Sequence, residues 1–247
     1  AVEGVRVYSR HIPPALHGLT IAHLSDLHWG PYTGRREIQA AVERANALVP
    51  DLVALTGDFV YYEAQYAAPC ARALAALRAP LGVYAVPGNH DQWAGIDAVA
   101  APLRAAGVTL LRNESRRLEV NGAPLWLAGL DDVLERQDDL VATLSGIPED
   151  EPILFLVHEP DFADEAARDP HQIVLQLSGH SHGGQVNLPL LGPPLLPWLG
   201  QKYPAGLKPV LGSGLQVYTN RGIGLIAPPV RFNCRPEVTL LTLVRGV

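Results

Sequence analysis

The feature that most constrains the fold is an apolar run that ends in a polar cluster, and it occurs five times. The runs are "LTIAHLSDLH" (19–28), "DLVALTGDFV" (51–60), "LGVYAVPGNHD" (81–91), "PILFLVHEPD" (152–161) and "IVLQLSGHSH" (173–182). Continuous apolar stretches of this length read as strands covered on both faces. Helix-like segments stand between the first three. Residues 33–49 predict a helix with Thr33 as N-cap and Ile38, Ala41, Val42, Ala45 and Leu48 on one face, ended by Pro50. Residues 70–79 predict a second helix, stopped by Pro80. Residues 94–107 predict a third, with a break or start near Pro102.

The second half reads differently. "VTLLRN", "RRLEVNG" and "PLWLAGLDD" are short strands joined by Asn/Gly turns, followed by a helix near 135–145. Residues 215–224 and 237–246 are also strand-like. The expectation is an α/β fold with two mixed sheets facing each other as a sandwich and helices outside. One domain spans 1–247. With 247 residues, 48% of them hydrophobic, the chain can bury a substantial core without staples. Cys70 and Cys234 form no CxxC pair and read as two buried thiols or one disulfide. The net charge of -6, from 19 basic and 25 acidic residues, disfavours a nucleic-acid surface. No stretch is long and apolar enough to span a bilayer, and no signal peptide is visible. The chain starts at Ala1 without Met, which reads as a processed or trimmed start.

In open α/β sheets ligands bind beyond the carboxyl ends of the strands. Five such ends carry Asp26 and His28, Gly57-Asp58, Gly88-Asn89-His90-Asp91, His158, and Gly179-His180-Ser181-His182. Each alone has a plainer reading as a turn or a satisfied core histidine. Asn, His and Asp together at the end of a buried strand are costly unless used. All five in order point to one crevice. Asp and Asn oxygens with His nitrogens suit manganese, iron, zinc or cobalt rather than calcium or a thiolate-selected metal. The donors outnumber the needs of one tetrahedral ion, whereas two ions sharing a carboxylate would use them all.

This ordered set resembles the calcineurin-like metallophosphoesterases, from about residue 19 to the last strand. "HLSDLHWG", "DLVALTGDFV", "LSGHSHGGQV", "QKYPAGL" and "NRGIG" are similar to one bacterial branch of membrane-associated or exported phosphodiesterases. Some members of that branch cleave the lipid A precursor UDP-2,3-diacylglucosamine. The resemblance implies a four-layer architecture and two divalent ions, manganese foremost. It implies that Asp26, His28 and His182 hold one ion, that Asn89, His158 and His180 hold the other, and that Asp58 bridges them. His90 would be no ligand; oriented by Asp91, it would contact the phosphate or protonate the leaving oxygen. The family often places an acidic residue three positions after the bridging Asp, where this chain has Tyr61.

Two ions bring four positive charges, and Asp26, Asp58 and one hydroxide remove three, which leaves about one to attract a phosphodiester or pyrophosphate. Beside the site, residues 187–207 are apolar and broken by five prolines. They are either a loop folded onto the core or an exposed lip for a lipid-linked substrate and peripheral membrane contact. Trp198 lies in that lip; Trp29 and Trp93 either extend it or simply pack, and Arg221 either contacts a phosphate or nucleotide or makes a surface salt bridge. The competing functions are a broad phosphomonoesterase, a nuclease, and a non-catalytic scaffold or binding module.

Overall fold

The computed structural model describes residues 1–246. Twelve strands form two sheets. They are β1 (Val2–Ser9), β2 (Thr20–Leu24), β3 (Leu52–Thr56), β4 (Val83–Val86), β5 (Thr109–Leu110), β6 (Glu114–Val120), β7 (Ala123–Gly129), β8 (Ile153–Leu156), β9 (Ile173–Ser178), β10 (Gly206–Pro209), β11 (Gln216–Thr219) and β12 (Val238–Arg245). One sheet has the order β1-β12-β2-β3-β4-β5, the other β10-β11-β9-β8-β7-β6. Both are mixed. β2, β3, β4 and β5 run parallel, with β12 antiparallel to β2 and β1 parallel to β12. In the second sheet β7, β8, β9 and β11 run parallel, and β6 and β10 form antiparallel edges.

The continuous apolar runs follow from this layering. Along β3, Leu52 and Ala54 face the second sheet, where they meet Leu154, Leu156, Leu175 and Leu177. Val53 and Leu55 face the other way, onto α1 (Arg35–Ala47), α2 (Ala67–Leu74) and, past the short α3 (Asn89–Ala94), α4 (Ile96–Ala105). Ile38, Ala41, Val42 and Ala45 form the buried stripe of α1, at the spacing a helix requires. On the far face of the second sheet Ile153, Phe155 and Val157 pack against α5 (Leu140–Leu144), α6 (Ala163–Ala166) and Phe162. The result is the expected sandwich of two mixed sheets with helices on both outer faces.

Three local expectations need correction. Thr33 does not cap α1. Gly34 takes that place, its N–H donating to Glu37 at 3.1 Å, and the Thr33 hydroxyl accepts instead from the Leu225 N–H at 3.0 Å. Pro102 breaks nothing and sits inside α4. The carbonyl left without its bond belongs to Ala98, an exposed residue with water as the alternative partner. β1 and β10 were not foreseen from the sequence. Cys70 and Cys234 are free and buried.

Candidate metal centre

The carboxyl ends of β2, β3, β4, β8 and β9 open onto one place, and hydrogen bonds stitch the two sheets together there. The Asp26 N–H donates to the Gly57 carbonyl at 3.1 Å, and the Gly179 N–H donates to the His158 carbonyl at 3.0 Å. Across the sandwich, His158 Nδ1 meets the Thr56 carbonyl at 2.7 Å, and the His180 N–H donates to both Asp26 carboxylate oxygens at 3.0 and 3.1 Å. Asp58 Oδ1 accepts from the His90 N–H at 2.9 Å.

The backbone makes room for this convergence at a cost. Asp26, His28, Asp58, His180 and His182 all have left-handed backbones, with φ of 50°, 44°, 56°, 66° and 51°. Non-glycine residues adopt this region at roughly 1–2 kcal/mol each, and such outliers cluster at functional sites. Gly179 lies so close to the β2 loop that a Cβ would collide with Ser25 Oγ and Asp26 Oδ2.

Side chains from both sheets then meet, nearly all of them buried. His28 Nε2 and His182 Nε2 are 2.9 Å apart. Asp26 Oδ1 lies 3.3 Å from His182 Nε2 and 3.9 Å from His28 Nε2. Asp58 Oδ2 lies 3.4 Å from His28 Nε2 and 3.3 Å from His158 Nε2. His180 Nδ1 lies 3.1 Å from Asn89 Oδ1. Three sets of donors group closely enough to share an ion: Asp26, His28 and His182; Asp26, Asp58 and His158; and His28, Asp58 and His90.

The tautomers show that a cation fits. His158 uses Nδ1–H on the Thr56 carbonyl, and its Nε2 lies buried 3.3 Å from the Asp58 carboxylate. Burial pushes this ring down, but Asp58, then Asp26 and Glu159, outweigh it and hold it well above its ordinary value, so a proton already takes the place of a cation between the two groups. His180 donates Nε2–H to the Trp198 carbonyl at 2.8 Å, so its Nδ1 lone pair faces the Asn89 oxygen. Lone pairs facing one another at this range repel unless a positive charge lies between them. Ligands at right angles on an ion with bonds of about 2.1 Å stand about 3 Å apart, close to the spacing of these pairs. The carbonyls on the far nitrogens of His158 and His180 are the usual supports of metal-binding imidazoles.

Charge is arranged to match. Burial holds His28 down to about 3. Burial, then His28 and Arg231, hold His182 well below its ordinary value. Burial and His158 lower His180 as well. These rings are therefore neutral near pH 7, the form that binds metal. Burial raises Asp26 to about 7. Burial pushes Asp58 up too, but His158, His90 and His28 outweigh it and hold Asp58 well below the carboxylate range.

The remaining expected residues divide. His90 sits at the rim with its ring centroid 4.5 Å from that of His28. Asp91 does not orient it. The Asp91 carboxylate accepts from the N–H groups of Asp58 (2.9 Å), Phe59 (2.9 Å), Val60 (3.3 Å) and Gly88 (3.0 Å), as the start of α3 turns it beneath the β3 loop. His90 Nδ1 is instead held by the Tyr61 carbonyl. Arg221 is not free for a phosphate, because Glu237 and Glu3 take its guanidinium. Trp29 packs on the cluster beneath α1 and α2 rather than extending the lip. Trp198 is exposed, with Leu190, Leu191 and Leu195, and Val230 and Phe232 are exposed as well. Val186 pairs with Phe232, which ties the lip to the later loop.

Arg231 was not singled out from the sequence. Its guanidinium lies 3.3 Å from His182 Nδ1 and donates to the Gly224 carbonyl at 2.7 Å. Its carbonyl partners are local, at Gly222, Gly224 and Cys234, whereas His182 comes from a loop distant in sequence that nothing in "PPVRFNC" signals.

This fold and this donor set define a metal-dependent phosphoric ester hydrolase. The chain belongs to the calcineurin-like phosphoesterase family, whose model matches residues 19–184. It is similar to the uncharacterized metallophosphoesterase YkuE of Bacillus subtilis, with 34% identity over 96% of this chain and 83% of that protein. It is also similar to the phosphodiesterase YaeI of Escherichia coli, with 32% identity over 91% of this chain and 82% of that protein. A bovine transmembrane protein with a metallophosphoesterase domain is 34% identical over 98% of this chain, which spans 57% of its length. Among solved structures, TT1561 of Thermus thermophilus superposes with a TM-score of 0.54 at 14% identity, over 83% of this chain and 90% of that one. That likeness speaks for the fold. Cleavage of a lipid A precursor, expected from the branch resemblance, is not named in any of these relatives.

Proposed function

We propose that the chain is one catalytic unit that hydrolyses a phosphodiester or pyrophosphate bond in a lipid-linked substrate at a two-metal centre. In this reading Asp26, His28 and His182 hold one divalent ion, Asn89, His158 and His180 hold the other, and Asp58 bridges them. The observation that carries the reading is the set of buried ligand atoms facing one another at cation spacing, above all His158 Nε2 against Asp58 and His180 Nδ1 against Asn89. Ions bound there supply Lewis acidity toward the phosphoryl oxygens and the attacking water. The chain does the rest. Neutral histidines and two carboxylates leave the centre positive enough to draw in an anionic ester. His90, with Nδ1 fixed on the Tyr61 carbonyl, presents Nε2 to bind the phosphate or protonate the departing oxygen. Asp91 keeps the loop of Asp58 in shape.

The lipid reading is supported by the lip. Leu190 and Leu191 are 106% and 82% exposed, and Leu195 and Trp198 are 77% and 69% exposed. Large apolar side chains grouped this way mark a partner or membrane surface. The contact proposed for the lip is peripheral, and no helix among the described residues is long and apolar enough to cross a membrane.

Hydrolysis of aryl phosphate diesters and monoesters, with manganese, zinc, cobalt or magnesium supplied in turn, tests the reaction. Metal-dependent diester cleavage lost in Asp58→Asn is the expected result. Preference for the monoester would replace the substrate class. No turnover with any metal, on model esters or on phospholipid, would overturn the reading. Trp198→Ala combined with Leu195→Ser is expected to weaken liposome binding and lipid turnover, and unchanged values would remove the lipid.

A further inference from the structure

An aromatic cluster stands at the His90 side of the donor set, apart from the lip, which joins the centre at His180. Tyr62 and Trp93 are 47% and 46% exposed. Their rings are nearly parallel, at 11°, with centroids 5.7 Å apart. Each lies 4.7 Å from the His90 ring. Tyr61 braces Tyr62 edge-on at 4.6 Å, and Tyr32 braces Tyr61 at 5.5 Å. Trp93 donates its indole N–H to Glu135 at 2.8 Å, so its one polar group is already used. The half-exposed pair is thus held directly beside His90.

We propose that Tyr62 and Trp93 form the subsite for a flat aromatic ring carried by the ester, which extends the stack they already make. The proposal rests on the hydrolytic reading of the metal centre and names one substituent of its substrate. Three features favour a ring over an aliphatic chain. The two rings are nearly parallel and stacked, and with its N–H spent on Glu135 the Trp93 ring offers stacking alone. Both adjoin His90 directly, so a ring placed there belongs to the ester group next to the phosphate rather than to a remote part of the substrate. Aliphatic side chains dominate the separate lip, so the two substituents of a diester have unlike surfaces to meet.

The test uses metal-loaded full-length protein and three ligands: phenyl phosphate, cyclohexyl phosphate and ethyl phosphate. Their affinities are measured by calorimetry, and by competition against diester turnover. The phenyl ester is expected to bind about tenfold more tightly than the cyclohexyl ester, a discrimination that bulk and apolarity alone do not give. Trp93→Ala and Tyr62→Ala should each reduce that ratio to below about two, and Trp93→Phe should keep most of it. Melting curves for each variant exclude misfolding as the cause. Equal affinities for phenyl and cyclohexyl esters in the unaltered protein would overturn the proposal. So would a ratio that survives Trp93→Ala, or one abolished by Leu195→Ser instead. Because calorimetry reads the ratio without turnover, failure of the ring subsite is distinguishable from failure of the hydrolytic reading.

Discussion

Nε2 of His180 donates a hydrogen bond to the backbone carbonyl of Trp198 at 2.8 Å. A proposed metal donor is thus oriented by the backbone of the exposed lip, at a residue that is itself 69% exposed. Support of this kind typically alters metal affinity by 10–100-fold when lost.

Trp198→Gly loosens that carbonyl without removing it. The expected outcome is a fall of about tenfold in affinity at one of two metal positions, with the other unchanged. Calorimetric titration of metal-stripped protein with manganese or zinc reads both positions separately. Equal weakening of both would show that the carbonyl does not act through His180.

Asp91→Asn tests the corrected role of Asp91. Four N–H groups converge on its carboxylate, and an Asn amide turns an N–H toward two of them. Leaving buried donors unpaired costs about 1–3 kcal/mol each. The variant should unfold several kelvin below the parent and lose metal as well as activity. A variant of unchanged stability that lost only activity would return Asp91 to a direct role at His90.

Gly179→Ala should be as damaging as loss of a ligand. Its Cβ has no space between Ser25 Oγ and Asp26 Oδ2, and the collision is with the wall of the site. Expression of folded protein with lowered melting temperature and no bound metal is the expected result. Near-parental metal content would show that the two loops can separate.

Asp132 gives a pH dependence away from the metal donors. It is buried, and burial first, then the Glu159 carboxylate beside it, raise it to about 9 from an ordinary 3.8. The folded state therefore holds this proton more tightly than the unfolded chain. The stability it contributes is fully present below about pH 4 and is lost as pH rises toward 9. Asp132→Asn removes the titration, so the difference in melting temperature between variant and parent should grow in the variant's favour from pH 5 to pH 8, by a few kelvin. A constant difference would show that Asp132 keeps an ordinary pKa.

The donors were legible because each stands at the end of an apolar run, and the fold brings five such ends together. What remained hidden depended on partners remote in sequence. Arg221 reads equally as a phosphate contact or a salt bridge until Glu3 and Glu237 are seen beside it. Thr33 has the composition of a cap, yet its hydroxyl serves the Leu225 N–H. The resemblance pairs Asp91 with His90, while the start of α3 turns the two side chains to different tasks. β1 was missed because half of it is exposed edge, with Glu3, Gly4 and Arg6 between its apolar residues, and its order comes from the other terminus. The lip carries no period for a reader to use, since its prolines break both helix and strand.

The left-handed residues at the strand tips have a consequence for how such a chain changes over generations. Asp26, His28, Asp58, His180 and His182 each sit where glycine would rest more easily. Drift under selection for solubility or heat resistance alone would favour relaxing these corners, and each relaxation would delete a donor. These corners cost the backbone stability, so a descendant that abandoned the chemistry would be free to become a sturdier protein.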